Sequence, residues 1–275
     1  MTTAFKKGIP FATYAASTAV NWSTLKHMRD SALDYLHATT TESKDTTGRA
    51  RGRYLHTLVF EPEKAGDEYA IFPGETRRGK EWEAFKAANE GKTILKAEEA
   101  EEVQAQAAAV RNHPAIQPYL EGGSFEVSLK WTDPETGLEC KGRMDWWHAP
   151  SRTLIDLKGT STIHPHYFAR IVARQGYHCQ LAHYANGIKA ATGREPAQVV
   201  LLAACTKPPF DIGPFLLSGD DLYAGGVEVA DLLRKVKECR ESGQYPGRYQ
   251  SLTPLTLPAY IWGDDENPDE LGVEF

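Results

Sequence analysis

From residue 125 onward the chain alternates. Phe125, Val127, Leu129 and Trp131 are interleaved with Glu126, Ser128 and Lys130, the period of two expected of a half-buried strand. Asp133-Pro134-Glu135-Thr136-Gly137 is a turn signal. Residues 139–147 alternate again, with Lys141, Arg143 and Asp145 on one face and Cys140, Gly142, Met144 and Trp146 on the other. After the connection 148–152, a third strand over 153–158 extends the meander. Asp156 and Lys158 project together there, with Ile155 and Leu157 on the opposite, buried face. The apolar run QVVLLAACT, residues 198–206, reads as a buried strand ended by Lys207-Pro208-Pro209. Residues 212–217 predict a further short strand.

Elsewhere the spacing is helical. Leu25, Met28, Leu33 and Leu36 predict one helix over 17–36, behind an extended arm formed by 1–16. Residues 38–47 read as a loop. Tyr54, Leu55, Leu58 and Val59 suit a helix that ends before Pro62, with Gly52 and His56 on one face. Residues 72–96 are charged and irregular apart from a short helix at 81–89. Residues 97–112, rich in Ala, Glu and Gln, predict a helix closed by Pro114. Helices follow at 164–174 and 177–191. In the second, Gln180 and Tyr184 are one turn apart, with Tyr177 on the same side. Ser218 caps a long helix over 220–241. The order implies an α/β fold: a mixed central sheet, made of a three-strand antiparallel meander plus a buried strand, flanked by helices. One domain is expected over 1–250 (helical part 17–120, α/β core 121–241). An extended tail at 251–275 carries Tyr260 and Trp262, expected to dock on the domain or a neighbouring subunit, and the acidic run 263–267.

Hydrophobic residues make up 41% of the 275 and charged residues 25%, so a packed core is permitted. No apolar run nears the roughly 18 residues of a membrane span, and MTTAFKKGIPF lacks the apolar centre of a signal peptide. Cys140, Cys179, Cys205 and Cys239 are scattered, without a Cys-x-x-Cys pair. That argues against a structural zinc or a disulfide framework and fits a reducing cytoplasm. The net charge of −6 means that any nucleic-acid surface is local.

The candidate chemistry sits in the meander. Asp145 and Asp156, with Lys158, converge at one end of the sheet. Carboxylate oxygens suit a hard cation such as Mg²⁺, which also takes phosphate oxygens, and an adjacent lysine can orient a water and steady phosphate charge. The bland alternative for Asp-x-Lys is a solvated strand face. Glu126 could instead pair with Lys141 or Arg143 across the hairpin. Arg49, Arg51 and Arg53, and then Arg77, Arg78 and Lys80, form two basic clusters that suit either a solvated face or phosphate contacts.

Gly52-x-x-x-His56, Glu126, Gly142-Arg143-x-Asp145, Asp156-Leu157-Lys158 and Gln180-x-x-x-Tyr184, in that order, resemble the PD-(D/E)XK nuclease superfamily. Within it they resemble the RecB-like branch, and LHTLVFEP (55–62) and Tyr177-His178-Cys179-Gln180 look most like the phage and prophage exonuclease VIII (RecE) nuclease domain. The resemblance covers about residues 14–250. It implies His56, Asp145, Asp156 and the Leu157 carbonyl as metal ligands, and Lys158 acting on the attacking water. Gln180 and Tyr184 would support the site, and Glu126 would assist a second metal or a bound water. It implies a Mg²⁺-dependent exonuclease, with Mn²⁺ able to substitute, that digests linear double-stranded DNA from the 5′ end and leaves 3′ overhangs. A RecT-like single-strand annealing partner and a ring-shaped homo-oligomer are implied as well. The chain would correspond to a minimal nuclease without the long N-terminal region some of these enzymes carry. The cysteine positions predict no iron–sulfur cluster. An endonuclease of the same superfamily, a non-catalytic DNA-binding or assembly protein, and a phosphohydrolase of small substrates are the alternatives.

Overall fold

The structure is a computed structural model and describes residues 4–41, 46–257 and 261. Strand β1 (Ala4–Lys6) and helix α1 (Phe11–Ala16) occupy the segment expected to be an extended arm. The single helix expected over 17–36 is broken into α2 (Trp22–Leu25), a 3₁₀ turn (Lys26–Arg29) and α3 (Ala32–Thr40). The reason is local. Ser31 is extended and its hydroxyl accepts the Asp34 N–H at 3.0 Å, an N-cap that starts a new helix inside the apolar pattern. α4 (Thr47–Phe60) follows, and Pro62 stands just past its end. Next come α5 (Ala65–Glu68), β2 (Tyr69–Phe72), α6 (Gly79–Ala88) and β3 (Thr93–Lys96). β2 and β3 pair in parallel as a separate ribbon, a correction to the irregular stretch expected at 72–96. Four-residue strands are too short to display an alternation, yet Tyr69, Ala70, Phe72 and Leu95 are buried.

α7 (Ala97–Asn112) and α8 (Gln117–Leu120) lead into β4 (Ser124–Thr132), β5 (Glu139–His148) and β6 (Thr153–Thr160). These three form the expected antiparallel meander. α9 (Pro165–Gln175) and α10 (Tyr177–Thr192) then cross over to β7 (Gln198–Cys205), which lies parallel to β6, and β8 (Ile212–Leu216) and α11 (Gly219–Ser242) complete the fold. The mixed sheet has six strands in the order β1-β4-β5-β6-β7-β8. The edge strand β1 pairs with β4. Ser218 caps α11 in a reciprocal box with Asp221.

Both faces of the sheet are covered. Met144, Leu154, Leu201 and Ala203 join a core with the N-terminal helices, α10 and α11. Trp146, Ile155, Leu157 and Leu202 join a second core with α4 and α7. The strand alternation holds over 127–131 and 140–144 but reverses at Glu126 and Asp145: Phe125 and Trp146, expected beside Val127 and Met144, belong to the opposite core. It is also wrong about solvent. Lys141, expected on a polar face, is 6% exposed. Its ammonium donates to the carbonyls of Tyr14 (2.9 Å) and Ser17 (2.7 Å), which supply the oxygens a buried cation requires. Residues 251–257 have no regular structure. Tyr260 and Trp262, with the acidic run, lie outside the described residues. Among the described residues no helix is long and apolar enough to cross a membrane.

Candidate active site

The β5–β6 ladder stops at Trp146↔Ile155, and beyond it the two strands fork. Asp145 bridges the opening: its Oδ2 accepts the Leu157 N–H at 2.9 Å, where a ladder carbonyl would otherwise be. On the other side of β5, the β4 ladder passes from Phe125↔Trp146 to Val127↔Met144 without pairing Glu126. Glu126 has a left-handed φ of 48°, a sparsely populated state for a side chain of this kind. Both irregularities flank Asp145, so the sheet opens at the position that carries the carboxylate.

Seven of the expected residues gather at the fork: His56, Asp145, Asp156, Leu157, Lys158, Gln180 and Tyr184. Asp156 is fully buried. Its Oδ2 forms an ion pair with Lys158 Nζ at 2.6 Å. Gln180 Nε2 donates to Asp156 Oδ1 at 3.2 Å and to Tyr184 Oη at 3.0 Å. The ring of Tyr177 stands 5.2 Å from Lys158 Nζ. His56, reaching over from α4, places Nε2 3.0 Å from the Leu157 carbonyl and Nδ1 3.6 Å from Asp145 Oδ1. Read as a hydrogen bond, the first contact makes Nε2 the donor and leaves the Nδ1 lone pair beside Asp145. The same 3.0 Å is also about the separation of adjacent ligands on an octahedral Mg²⁺ with bonds of about 2.1 Å.

The charges are unbalanced in one direction. Burial pushes the Asp156 carboxyl up to about 6; Lys158 pulls it back and Asp145 pushes it up again. Burial acts to depress Lys158, but Asp156 and Asp145 outweigh it and hold its ammonium well above the ordinary lysine value. Burial, first, raises the Tyr184 phenol, so it remains a neutral hydroxyl. Two carboxylates against one ammonium in a dry setting favour a further cation. The donor types fit one: Asp145 Oδ1, an Asp156 carboxylate oxygen and an imidazole nitrogen are ligands for Mg²⁺ or Mn²⁺. The spacing is looser than in a filled octahedron, because these three ligand atoms do not all lie within 4.8 Å of one another. Asp156 is drawn aside by Lys158 and Gln180.

Other expected residues fall elsewhere. The carboxylate of Glu126 pairs with Arg143, which also donates to the Ile9 carbonyl at 3.0 Å. The geometry thus follows the cross-hairpin alternative. In the basic clusters, Arg51 pairs with Glu102, and Arg77 pairs with Glu99 at 2.6 Å. Both are tied to α7, while Arg49, Arg53, Arg78 and Lys80 are exposed. Sequence reasoning passed over Lys26. Its pKa is lowered by burial first, then by the charges of Arg49 and Lys158, so both of those cations act on it. No short motif marks that grouping, because the three come from separate elements.

The sequence profile of a family described as "PDDEXK-like domain of unknown function (DUF3799)" matches residues 21–252. No curated protein is significantly similar in sequence. Among solved structures, a crystal structure of a "putative exonuclease" from Eubacterium rectale superposes with a TM-score of 0.64 at 15% identity, covering 94% of this chain and 98% of that one. At that identity the likeness speaks for the fold alone. The crystal structure of SSO0001 is 14% identical over 83% of this chain and 90% of its own, and its TM-score of 0.30 carries no argument.

Proposed function

Because the chain belongs to this PDDEXK-like family, we propose that it is a metal-dependent nuclease: an exodeoxyribonuclease that hydrolyses linear double-stranded DNA from the 5′ end and leaves 3′ overhangs. The observation that carries the reading is the fork between β5 and β6, where Asp145, Asp156, Lys158 and His56 meet. Asp145, Asp156 and His56 hold the cation, Mg²⁺ or Mn²⁺, with the Leu157 carbonyl beside them. When bound, such a cation neutralises phosphate charge and makes water more acidic. The remaining work belongs to the chain. Lys158 hydrogen-bonds the attacking water and the charge that grows on the phosphate. Gln180 fixes one oxygen of Asp156, and the other, paired with Lys158, is the one the cation would share. Tyr184 holds Gln180 in turn, and Tyr177 covers the ammonium. Lys26, on which the charges of Arg49 and Lys158 act, supports a substrate with many phosphates over a small one.

The proposed setting is phage-type homologous recombination in the cytoplasm of a bacterial or phage-infected cell. A RecT-like annealing protein would be the partner and a homo-oligomeric ring the working form. Both rest on the motif resemblance. The test is digestion of a 5′-labelled linear duplex beside a covalently closed circle, with Mg²⁺ or EDTA. Mg²⁺-dependent release of the 5′ label from the linear duplex alone is expected. Cutting of the circle would make the protein an endonuclease. Binding with no cleavage of either substrate would favour a DNA-binding or assembly role.

A further inference from the structure

Three metal-ligating side chains meet outside the fork, where the first turn of α10 packs on α11. Cys179 Sγ lies 3.4 Å from His178 Nε2 and 3.3 Å from Glu228 Oε2, and Nε2 is 4.0 Å from Oε2. Among the described residues, no other group of three His, Cys, Asp or Glu side chains brings its ligand atoms within 4.8 Å of one another. A tetrahedral Zn²⁺, with a Zn–S bond of about 2.3 Å and Zn–N and Zn–O bonds of about 2.0–2.1 Å, sets its ligands about 3.3–3.6 Å apart. Two edges of the observed triangle match within about 0.2 Å. The third closes with a small rotation of His178 or Glu228, whose side chains are 18% and 32% exposed.

The surroundings are built for close approach. A Cβ on Gly225 would stand 2.7 Å from the His178 carbonyl oxygen, so only glycine lets α11 come this near. Arg29 Nε holds Glu228 Oε1 at 2.6 Å and is itself anchored on the carbonyls of Arg174 and Ala173. That leaves Oε2 to face the thiol, the kind of outer support that orients a ligating carboxylate. His178 Nδ1 is buried without a hydrogen-bond partner, and a proton on it leaves the Nε2 lone pair turned toward Cys179. A nucleophilic role for Cys179 does not fit. The residue is fully buried, and burial followed by Glu228 pushes its thiol up to about 12.

We propose that His178, Cys179 and Glu228 form a second metal site that takes Zn²⁺, with water as the fourth ligand, and pins the first turn of α10 to α11. On binding, the Cys179 thiol releases its proton to solvent as the Zn–S bond forms. Tyr177 and Gln180 flank these ligands on the same helix, so the ion would steady the two residues that cover Lys158 and hold Asp156. The scattered cysteines hid this site, because it uses only one of them. Its chemistry also separates it from the fork, which offers no thiolate.

The experiment is Co²⁺ titration of the intact, metal-stripped protein, read by the thiolate-to-Co²⁺ charge-transfer band and by metal stoichiometry. The expected result is one equivalent that shows the band and is displaced by Zn²⁺. Cys179→Ser, folded by circular dichroism, loses the band and that equivalent, while Asp156→Asn keeps both. Glu228→Gln, at a half-exposed position, weakens Co²⁺ affinity by roughly tenfold or more and serves if Cys179→Ser does not fold. Absence of the band in wild type, or its persistence in Cys179→Ser, or unchanged affinity in Glu228→Gln, overturns the proposal.

Discussion

Gly142→Ala tests how the motif around Asp145 is held. Gly142 lies on the β5 face that α10 covers, and a Cβ there would stand 2.7 and 2.9 Å from Cδ1 and Cε1 of the Tyr184 ring. Ordinary carbon contacts are about 3.5–4.0 Å, so the ring must move by most of an ångström. It has little room: Tyr184 is 7% exposed and Trp131 sits 3.8 Å from the same Cβ position. Overpacking of this kind costs about 1–3 kcal/mol, and the ordinary advantage of Ala over Gly in a strand offsets roughly 0.5–1 kcal/mol of it. A net loss of about 1–2 kcal/mol follows, or a Tm lower by roughly 2–8 °C for a chain of this size. The consequence reaches the site. Gln180 divides its two amide protons between Tyr184 and Asp156, so a displaced Tyr184 loosens the grip on Asp156 and cleavage falls with stability. Urea unfolding of Gly142→Ala, Tyr184→Leu and the double variant supplies the measurement. The double variant should recover about 1 kcal/mol relative to the sum of the singles. Unchanged stability in Gly142→Ala, or strict additivity in the double variant, refutes the steric argument.

Three further outcomes are expected. Lys158→Ala should lower cleavage by about 10²- to 10⁴-fold while filter binding of duplex DNA is nearly retained; equal loss of both contradicts a chemical role. His56→Ala should raise the Mg²⁺ concentration for half-maximal cleavage by roughly tenfold or more, and an unchanged titration makes His56 structural. His183 is 1% exposed, its Nε2 donates to the Lys141 carbonyl at 3.2 Å, and burial pushes its pKa down to about 4. The unfolded chain takes a proton near pH 6.5 and the folded one only near 4. Stability is therefore full above 6.5 and falls by about 3 kcal/mol in total as pH drops to 4. Urea midpoints from pH 7.5 to 4.5 for wild type and His183→Gln check this, and equal slopes contradict it.

The central strands were legible because β4 and β5 alternate over most of their length, because Ile155-Asp156-Leu157-Lys158 alternates in β6, and because the apolar run of β7 is bounded by Lys207-Pro208-Pro209. The long helices were legible by their caps, Ser218 above all. Elements of three or four residues, β1, β2 and β3, carry too few positions for any period to emerge. At the fork, Asp-x-Lys placed Asp156 and Lys158 side by side. No pattern could say that this face is also covered, that Lys141 ends among carbonyls, or that Glu126 turns to Arg143. Those facts depend on what packs across the sheet, and residues far apart in sequence decide them. The same holds for Lys26 beside Arg49 and Lys158, and for Glu228 beside His178 and Cys179.

The most direct measurement is hydrolysis of a labelled linear duplex by wild type and Asp156→Asn across a Mg²⁺ titration, with DNA binding followed in parallel. Asp156→Asn keeps the shape of a buried side chain that touches both Lys158 and Gln180 and removes its charge. Mg²⁺-dependent cleavage by wild type is expected, with binding but no cleavage by the variant. Cleavage by Asp156→Asn at the wild-type rate, or cleavage by wild type that persists in EDTA, would contradict a metal-dependent nuclease at this fork.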